Sequence, residues 1–357
     1  MRRLNLIVLA LVAIYLLAAP LVSGQDEKSG KKEAAKIVTE AHQIPSKDQG
    51  IQLYVRNKRP EGMTKFSPDH ILLFVHGATW PSEATFDLSV GGFSWMDYIA
   101  QHGWDVYLMD LRGYGGSTRP PEMSQPPSAN APLVKTDVAI RDLSTVVDHI
   151  LARRGVPRIT LMGWSWGTVI AGAYTAQNNA KVERLVLYAP VWLRQGPSAP
   201  GLTIRMEGPL EAYRSVTLES ARQRWLQGVP TEKQKDLIPE GWFEVWWKAI
   251  LESDPVGAAQ TPPVVRAPNG VVEDIKKYWL SDTRYYDPST ITVPVLLVQA
   301  EWDADTPPYM AQAVFARLSN APFKRYVLVG EGTHSVLLER NRMQLFREVQ
   351  LFLDESH

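Results

Sequence analysis

The sequence contains no cysteine among its 357 residues. This absence excludes disulfide bonds, a thiol nucleophile, cysteine-based zinc and iron–sulfur sites, and an N-terminal cysteine that carries lipid. It is compatible with any redox compartment. The sequence also lacks an Asn-x-Ser/Thr acceptor for N-glycosylation. That second absence favours a bacterial exported protein over a glycosylated eukaryotic one.

The chain also lacks an excess of charge of either sign. Lys and Arg together number 38, and Asp and Glu together number 38. This balance gives no indication of a nucleic-acid partner. The length and the hydrophobic fraction of 45% are those of an ordinary globular protein with one large domain or two smaller ones. We expect a small-molecule substrate as partner, and the composition leaves the oligomeric state open.

The N-terminal segment differs from the rest of the chain. Two arginines follow the first methionine, residues 4–17 are almost wholly apolar, and small residues lead up to Gly24. This pattern predicts a signal peptide at residues 1–24 and export to the periplasm or the medium. A cleaved chain would have no stable membrane partner. The alternative is a membrane anchor formed by uncleaved residues 4–22, which nearly reach spanning length.

Short apolar runs alternate with amphipathic stretches along the remaining chain. This alternation is typical of an α/β fold with a mostly parallel central sheet and helices on its faces. Several runs have the continuous Val, Ile and Leu character of strands that are buried on both faces. The predicted strands are residues 51–55, 71–75, 106–109, 159–162, 185–188, 293–299 and 326–329.

One interval of about a hundred residues, between Tyr188 and Val293, has no such alternation and contains six of the twelve tryptophans. Its amphipathic stretches predict a mainly helical cap inserted into the sheet domain. The tryptophans either anchor the cap or line an apolar acyl pocket. The predicted organisation is a flexible polar lead-in at 25–35, a core at 36–190, the cap at 191–290 and the rest of the core at 291–357.

The segment Gly163-Trp164-Ser165-Trp166-Gly167 lies directly after a predicted strand and directly before an apolar helical run. Strand, sharp turn and helix are the context that the nucleophile-elbow motif requires. Residues without side chains are needed on both sides of the serine because the strand and the helix pass close together there. We therefore predict that Ser165 is a nucleophile.

A serine hydroxyl needs a base to remove its proton and an acid to orient that base. Among seven histidines, His334 lies just past the last predicted strand, at the sheet edge where the elbow serine is held. Asp303 follows the preceding predicted strand at the same edge and is the preferred acid. Asp305 is the alternative, and Glu301 is less favoured because it is closest to the strand end.

The tetrahedral oxyanion of acyl transfer needs two preorganised N–H donors. One should be the backbone N–H of Trp166, which follows the nucleophile at the start of a helix. The other should be the backbone N–H of Ala78, in the loop after the predicted strand 71–75. His76 in that loop is predicted to be structural.

Four motifs in this order resemble the α/β-hydrolase superfamily, in the branch with a helical cap after the sixth strand. They are His76-Gly77, the run Asp-Leu-Arg-Gly-Tyr-Gly-Gly-Ser at 110–117, the elbow, and the Asp303/His334 pair. Together they cover most of residues 50–357. The resemblance implies a Ser–His–Asp hydrolase that works through an acyl-enzyme, with no cofactor and no metal.

The expected function is that of an exported serine esterase acting on a small or medium, fairly apolar carboxylic ester. Residues 110–120 also resemble proline-iminopeptidase-like enzymes, which would need cap carboxylates for the substrate ammonium group. Glu219, Glu240 and Glu244 are available for this role. The elbow weakens this alternative, because it is Gly-Trp-Ser-Trp-Gly rather than Gly-Gly-Ser-Trp-Gly.

Other functions that this fold supports differ in how well they agree with the sequence. Carbon–carbon bond hydrolases of the same fold use the same triad and stay open. Epoxide and haloalkane hydrolysis are disfavoured, because those relatives have a carboxylate where this chain has Ser165. A non-enzymatic small-molecule receptor is disfavoured because such receptors usually have an incomplete triad.

Overall fold

The computed structural model describes residues 35–194 and 209–356. The predicted signal peptide and residues 25–34 of the predicted lead-in lie outside these ranges. The described residues form ten strands: β1 Ile37–Pro45, β2 Gln52–Pro60, β3 Ile71–Val75, β4 Asp105–Met109, β5 Ile159–Trp164, β6 Val182–Tyr188, β7 Tyr213–Thr217, β8 Val264–Pro268, β9 Val295–Ala300 and β10 Lys324–Val329.

Eight strands form the central sheet, in the order β1-β2-β4-β3-β5-β6-β9-β10. Strand β2 is antiparallel to both of its neighbours, β1 and β4. All other adjacent pairs are parallel. Every residue of β3, β4 and β5 is buried, as continuous apolar runs require. The prediction of a mostly parallel sheet is therefore confirmed.

Strand β1 was not predicted from the sequence. It is an edge strand with the sequence Ile-Val-Thr-Glu-Ala-His-Gln-Ile-Pro, and only Ile44 in it is buried. A strand that pairs on one side and remains in solvent needs no apolar run, so no apolar pattern in the sequence indicates it. Strand β2 extends five residues beyond the predicted 51–55, through Arg56, Asn57 and Lys58. These residues are polar and form no apolar run, although Asn57 and Lys58 are buried.

Helices cover both faces of the sheet. Buried side chains of three helices belong to the hydrophobic core on one face, and those of two others belong to the core on the opposite face. The first three are α3 Thr136–Arg154, α4 Trp166–Gln177 and α10 Pro308–Arg317, and the other two are α2 Trp95–Gln101 and α11 Arg342–Asp354. The short helix α1 Ser82–Phe86 follows the loop after β3.

An insertion between β6 and β9 lies over the carboxyl edge of the sheet. Its described residues form five α-helices: α5 Leu218–Trp225, α6 Gln234–Leu237, α7 Trp242–Glu252, α8 Pro255–Ala258 and α9 Gly270–Asp274. They also form an antiparallel pair of strands, β7 and β8. This pair was not predicted, because β7 is polar and mostly exposed or half-buried. Trp246 of α7 packs the insertion onto the core, since its ring centroid lies 4.8 Å from that of Trp80. Within the insertion, the same centroid lies 4.9 Å from that of Trp225.

At the turn between β5 and α4, the backbone at Gly167 passes very close to the backbone of Val75 and His76. A Cβ atom built on Gly167 would lie 2.3 Å from the carbonyl oxygen of Val75 and 2.7 Å from that of His76. Backbone atoms of a buried strand cannot move away as a flexible side chain can. Glycine is therefore required at this position.

Replacing Gly167 by alanine should lower the free energy of unfolding by about 4 kcal/mol or more. Equilibrium urea unfolding measures this loss. The matched control is Gly330→Ala, where a new Cβ would meet only the Glu301 Oε2 atom at 3.7 Å. We expect that control to change stability by less than about 1 kcal/mol. Equal losses for the two variants would contradict the requirement for glycine at position 167.

Candidate active site

Ser165 is the single residue between β5 and α4, and its backbone is strained. Its φ is 56° and its ψ is −123°, a conformation that non-glycine residues rarely adopt. Hydrogen bonds hold it there. The Ser165 N–H donates to the Tyr188 carbonyl at 3.0 Å, and the Ser165 carbonyl accepts from the Thr168 N–H at 2.8 Å. The structure thus places Ser165 on the predicted sharp turn.

The loop His76–Trp80 passes directly beside Ser165. A Cβ atom on Gly77 would lie 2.8 Å from the Ser165 Cβ atom. His76 holds this loop: its Nε2 accepts from the Leu111 N–H at 3.1 Å and its Nδ1 lies 2.7 Å from the Gly77 carbonyl. Burial lowers the pKa of His76 to about 4, so the ring is neutral and Nδ1 donates to that carbonyl. These contacts fit the predicted structural role.

His334 and Asp303 form a buried pair. The His334 Nδ1 atom lies 2.8 Å from the Asp303 Oδ2 atom. Three further groups orient the carboxylate: the Thr306 N–H and hydroxyl donate to it at 2.8 Å each, and the Gln299 amide donates at 2.9 Å. The carboxylate is therefore fixed in a position where it can hold the imidazole.

The two other acids of this loop have different partners. Asp305 accepts from the Arg224 Nε–H at 2.7 Å. Glu301 accepts from the Glu331 N–H at 2.9 Å. Of the three acids considered from the sequence, Asp303 alone has a hydrogen bond to His334 among the described residues.

Several groups fix His334 next to the serine turn. Its carbonyl accepts from the Trp164 indole N–H at 3.0 Å and from the Tyr188 hydroxyl at 2.8 Å. Burial acts to lower the pKa of His334, but Asp303 and, more weakly, Asp305 outweigh it, so that the pKa is raised. The His334 Nε2 atom is buried without a hydrogen-bond partner among the described residues. Ser165 and His334 thus lie on adjoining segments without a hydrogen bond between them, as is common before substrate binds.

Ser165 opens onto a small cavity of about 60 Å³ that also touches Ala78 and Trp166, the two predicted oxyanion residues. The wall comes mainly from the insertion and is mostly apolar. Its apolar residues are Val191, Trp192, Val271, Ile275, Trp279 and Met310. Two of the six tryptophans of the insertion therefore line the cavity, whereas Trp225 and Trp246 pack against each other and the core.

A family model described as alpha/beta hydrolase fold matches residues 70–341. The chain belongs to the α/β-hydrolase family. No curated protein matches the sequence. Three solved structures show the same fold at low sequence identity, and each overlaps 88% of this chain.

One is a meta-cleavage product hydrolase from Pseudomonas fluorescens IP01, with 14% identity, a TM-score of 0.58 and 98% of its chain covered. Another is a thermophilic esterase from Thermogutta terrifontis, with 18% identity, a TM-score of 0.53 and 98% of its chain covered. The third is a thioesterase domain from the curacin biosynthetic pathway, with 16% identity, a TM-score of 0.53 and 99% of its chain covered.

Glu339 is a buried carboxyl group of this α/β-hydrolase that sequence analysis missed. It is 0% exposed. It accepts hydrogen bonds from the Thr333 N–H at 3.0 Å, from the Thr333 hydroxyl, and from the Trp225 indole N–H at 2.9 Å. Thr333 precedes His334, and Trp225 ends α5 of the insertion. Glu339 therefore joins the histidine loop to the insertion.

Burial raises the pKa of Glu339 from 4.5 to about 7, and the charge of Asp303 adds to this rise. The folded state thus holds the proton more tightly than the unfolded state does. The resulting stabilisation is complete below about pH 4.5 and is lost as the pH rises through about 7. At about 1.4 kcal/mol per pH unit, the loss is about 3 kcal/mol.

Glu339→Gln should remove this dependence on pH. We expect the free energy of unfolding of the unaltered chain, relative to Glu339→Gln, to fall by about 3 kcal/mol between about pH 4.5 and about pH 8. Urea unfolding of both proteins across this pH range measures the difference between their free energies of unfolding. Groups that titrate in the same way in both proteins cancel in this difference. Parallel curves would contradict the raised pKa.

The described part of this α/β-hydrolase holds no group of three or more His, Asp or Glu side chains that could bind a metal ion. Within the same residues, no helix has the length and apolar character needed to cross a bilayer.

Proposed function

We propose that this α/β-hydrolase is a serine hydrolase of carboxylic esters with a small or medium apolar acyl group. One observation carries the proposal: an oriented Asp303–His334 pair, with Nδ1 and Oδ2 2.8 Å apart, adjoins the strained turn that presents Ser165 to an apolar cavity. A nucleophile, an acid and a base in this order along the chain are what acyl transfer in this fold requires.

In the proposed mechanism the Ser165 Oγ atom attacks the ester carbonyl while the His334 Nε2 atom takes its proton. Asp303 holds the imidazole and stabilises its cation. The backbone N–H groups of Trp166 and Ala78 donate to the oxyanion. The tetrahedral intermediate then collapses: His334 gives the proton to the leaving alcohol, and an acyl-enzyme remains. Water, deprotonated by His334, releases the acid and restores Ser165.

The positions of the cap carboxylates favour an ester substrate over an aminopeptidase substrate. Glu219, Glu240 and Glu244 are exposed, and none of them lines the cavity beside Ser165. Glu244 also pairs with Arg222, with Nη2 and Oε1 2.8 Å apart. Asp305 does line the cavity, but its carboxylate already accepts a hydrogen bond from Arg224. A free ammonium group there would therefore meet no unpaired carboxylate among the described lining residues.

The test is hydrolysis of p-nitrophenyl esters of rising acyl length beside aminoacyl arylamides that include proline. Ser165→Ala serves as the blank. We expect ester turnover with an optimum at short or medium acyl length and no arylamide cleavage. Preferential cleavage of arylamides that carry a free N-terminal amine would indicate an aminopeptidase instead of an esterase. Silence on both panels, with Ser165 still labelled by a fluorophosphonate, would direct the search to carbon–carbon bond substrates.

We also propose export of the chain, on the basis of the N-terminal pattern alone, since residues 1–34 lie outside the described ranges. The intact mass of the protein from a bacterial periplasm should correspond to a chain that begins at Gln25. A chain that retains residues 4–22 and sediments with membranes would favour the anchor instead.

A further inference from the structure

Arg214 on β7 is a half-buried arginine whose hydrogen-bond partners among the described residues are all uncharged. Its Nη1 donates to the Pro268 carbonyl at 2.7 Å and to the Asn269 Oδ1 atom at 3.2 Å, and its Nη2 donates to the Thr79 hydroxyl at 2.5 Å. Among the residues that the structure describes, no carboxylate lies within ion-pair distance of it. A cation in the interior is costly without a counter-charge.

A neighbouring arginine shows the usual arrangement. Arg266 on β8, the strand paired with β7, has its Nη2 atom 2.7 Å from the Asp254 Oδ1 atom. The register sets Arg214 opposite Ala267 and Arg266 opposite Ser215, so the two arginines lie on opposite faces of this pair of strands. Among the described residues, the face of Arg214 offers it no acid of the kind that Asp254 supplies to Arg266.

Other groups around Arg214 leave its charge uncompensated. The residue keeps some exposed surface, but burial of its guanidinium lowers the pKa to about 10. Tyr114 of the core raises this pKa and the Arg224 cation of α5 lowers it. An interior positive charge of this kind stabilises a negative charge that forms nearby, because the surrounding medium screens it weakly.

The contact with Thr79 connects Arg214 to the oxyanion loop. Thr79 follows Ala78, is 1% exposed and has a φ of 87°. This φ is strained for a β-branched residue and persists only where neighbouring groups hold it. The Arg214 Nη2–H bond to the Thr79 hydroxyl is such a constraint, and it fixes the backbone immediately after Ala78.

We propose that Arg214 is a positioning residue for the oxyanion loop: through Thr79 it fixes the direction of the Ala78 N–H, and its positive charge favours the oxyanion. This role rests on the acyl-transfer chemistry proposed for Ser165. The oxyanion exists only in the transition state and the intermediate. Loss of Arg214 should therefore lower kcat with little change in KM.

The test compares Arg214→Met and Arg214→Lys with Arg222→Met, which removes a partly exposed arginine of α5. The readouts are the rate of fluorophosphonate labelling of Ser165 and the kcat and KM for a neutral ester. Arg214→Met should lower the labelling rate and kcat by about 10- to 100-fold with KM nearly constant. Arg222→Met should change both rates by less than about twofold.

Arg214→Lys separates charge from structure. A buried ammonium keeps the charge near neutral pH but loses its proton at lower pH than a guanidinium does. We expect this variant to retain most of its activity at about pH 7 and to lose it earlier than the unaltered chain as pH rises. Equal activity of the Lys and Met variants at every pH would overturn the role of the charge.

Thr79→Val and Thr79→Ser test the path through the hydroxyl and do not depend on the folding of an Arg214 variant. Thr79→Ser keeps the acceptor and should stay within about threefold of the unaltered chain. Thr79→Val removes the acceptor at constant volume and should lower kcat about tenfold. In the double variant, Arg214→Met should lower kcat further by less than it does alone, because both changes break the same contact. Additive effects of the two changes would overturn the path.

Three outcomes show which part of the proposal has failed. A loss in Arg214→Met confined to an anionic ester, such as a p-nitrophenyl hemisuccinate, would overturn the positioning role, because it would mean that Arg214 binds the substrate. A chain that is labelled by the fluorophosphonate equally fast with and without Arg214 would overturn the role of Arg214 alone. A chain that is not labelled at all would overturn the function of Ser165 and this role with it.

Discussion

Replacing Ser165 by alanine is expected to lower kcat for ester hydrolysis about a millionfold. The oxyanion donors and the cavity remain in this variant, but no acyl-enzyme can form, and water must attack without a covalent intermediate. Initial rates on the preferred p-nitrophenyl ester measure the loss. Covalent labelling by a fluorophosphonate, followed by intact mass, should disappear in parallel.

The matched control for this change is Ser289→Ala, which alters a half-buried serine of the short turn Pro288–Thr290. It should leave kcat within about twofold, since surface substitutions away from a site have small effects. Residual activity of Ser165→Ala above about 1% in a homogeneous preparation would mean that another group attacks the ester.

Asp303→Asn should lower kcat about 10,000-fold. The fold should persist, because the amide is almost the same size as the carboxylate. The amide nitrogen cannot accept from the His334 Nδ1–H, however, so the imidazole takes the tautomer that cannot accept the Ser165 proton. Steady-state kinetics, with circular dichroism as the check on folding, measures this outcome.

Asp305→Asn is the matched control, since it makes the same chemical change two residues away. It weakens the contact with Arg224, in which Arg224 Nε and Asp305 Oδ2 are 2.7 Å apart, and should lower kcat by less than about tenfold. A larger loss for Asp305→Asn than for Asp303→Asn would reverse the assignment of the two acids.

The sheet and the serine turn could be predicted from the sequence because they depend on local patterns. A strand buried on both faces, such as β3 or β5, needs a continuous apolar run, and the elbow needs glycines at fixed positions. The edge strand β1 and the β7–β8 pair could not be predicted in this way. Their strands are short or half in solvent, so their residues show no run and no clean alternation.

The three acids after β9 show where sequence reasoning ends. Asp303 and Asp305 lie in one loop, and nothing local distinguishes them. The path of the loop does so, since Thr306 turns back to donate to Asp303. Arg214 and Glu339 could not be predicted for a related reason. An isolated charged residue in a sequence is expected at the surface, and only the tertiary packing shows that it is buried.

The end of α5 has a consequence for how the insertion and the core move relative to each other. The consecutive residues Arg224 and Trp225 bind Asp305 and Glu339, which lie beside the acid and the histidine of the site. A rigid displacement of α5 must break both contacts together. Arg224 also lines the small cavity beside Ser165, so a motion of α5 that enlarges this cavity loosens both loops as well. For a substrate that enters by such a motion, access and an assembled site belong to opposite ends of one conformational equilibrium.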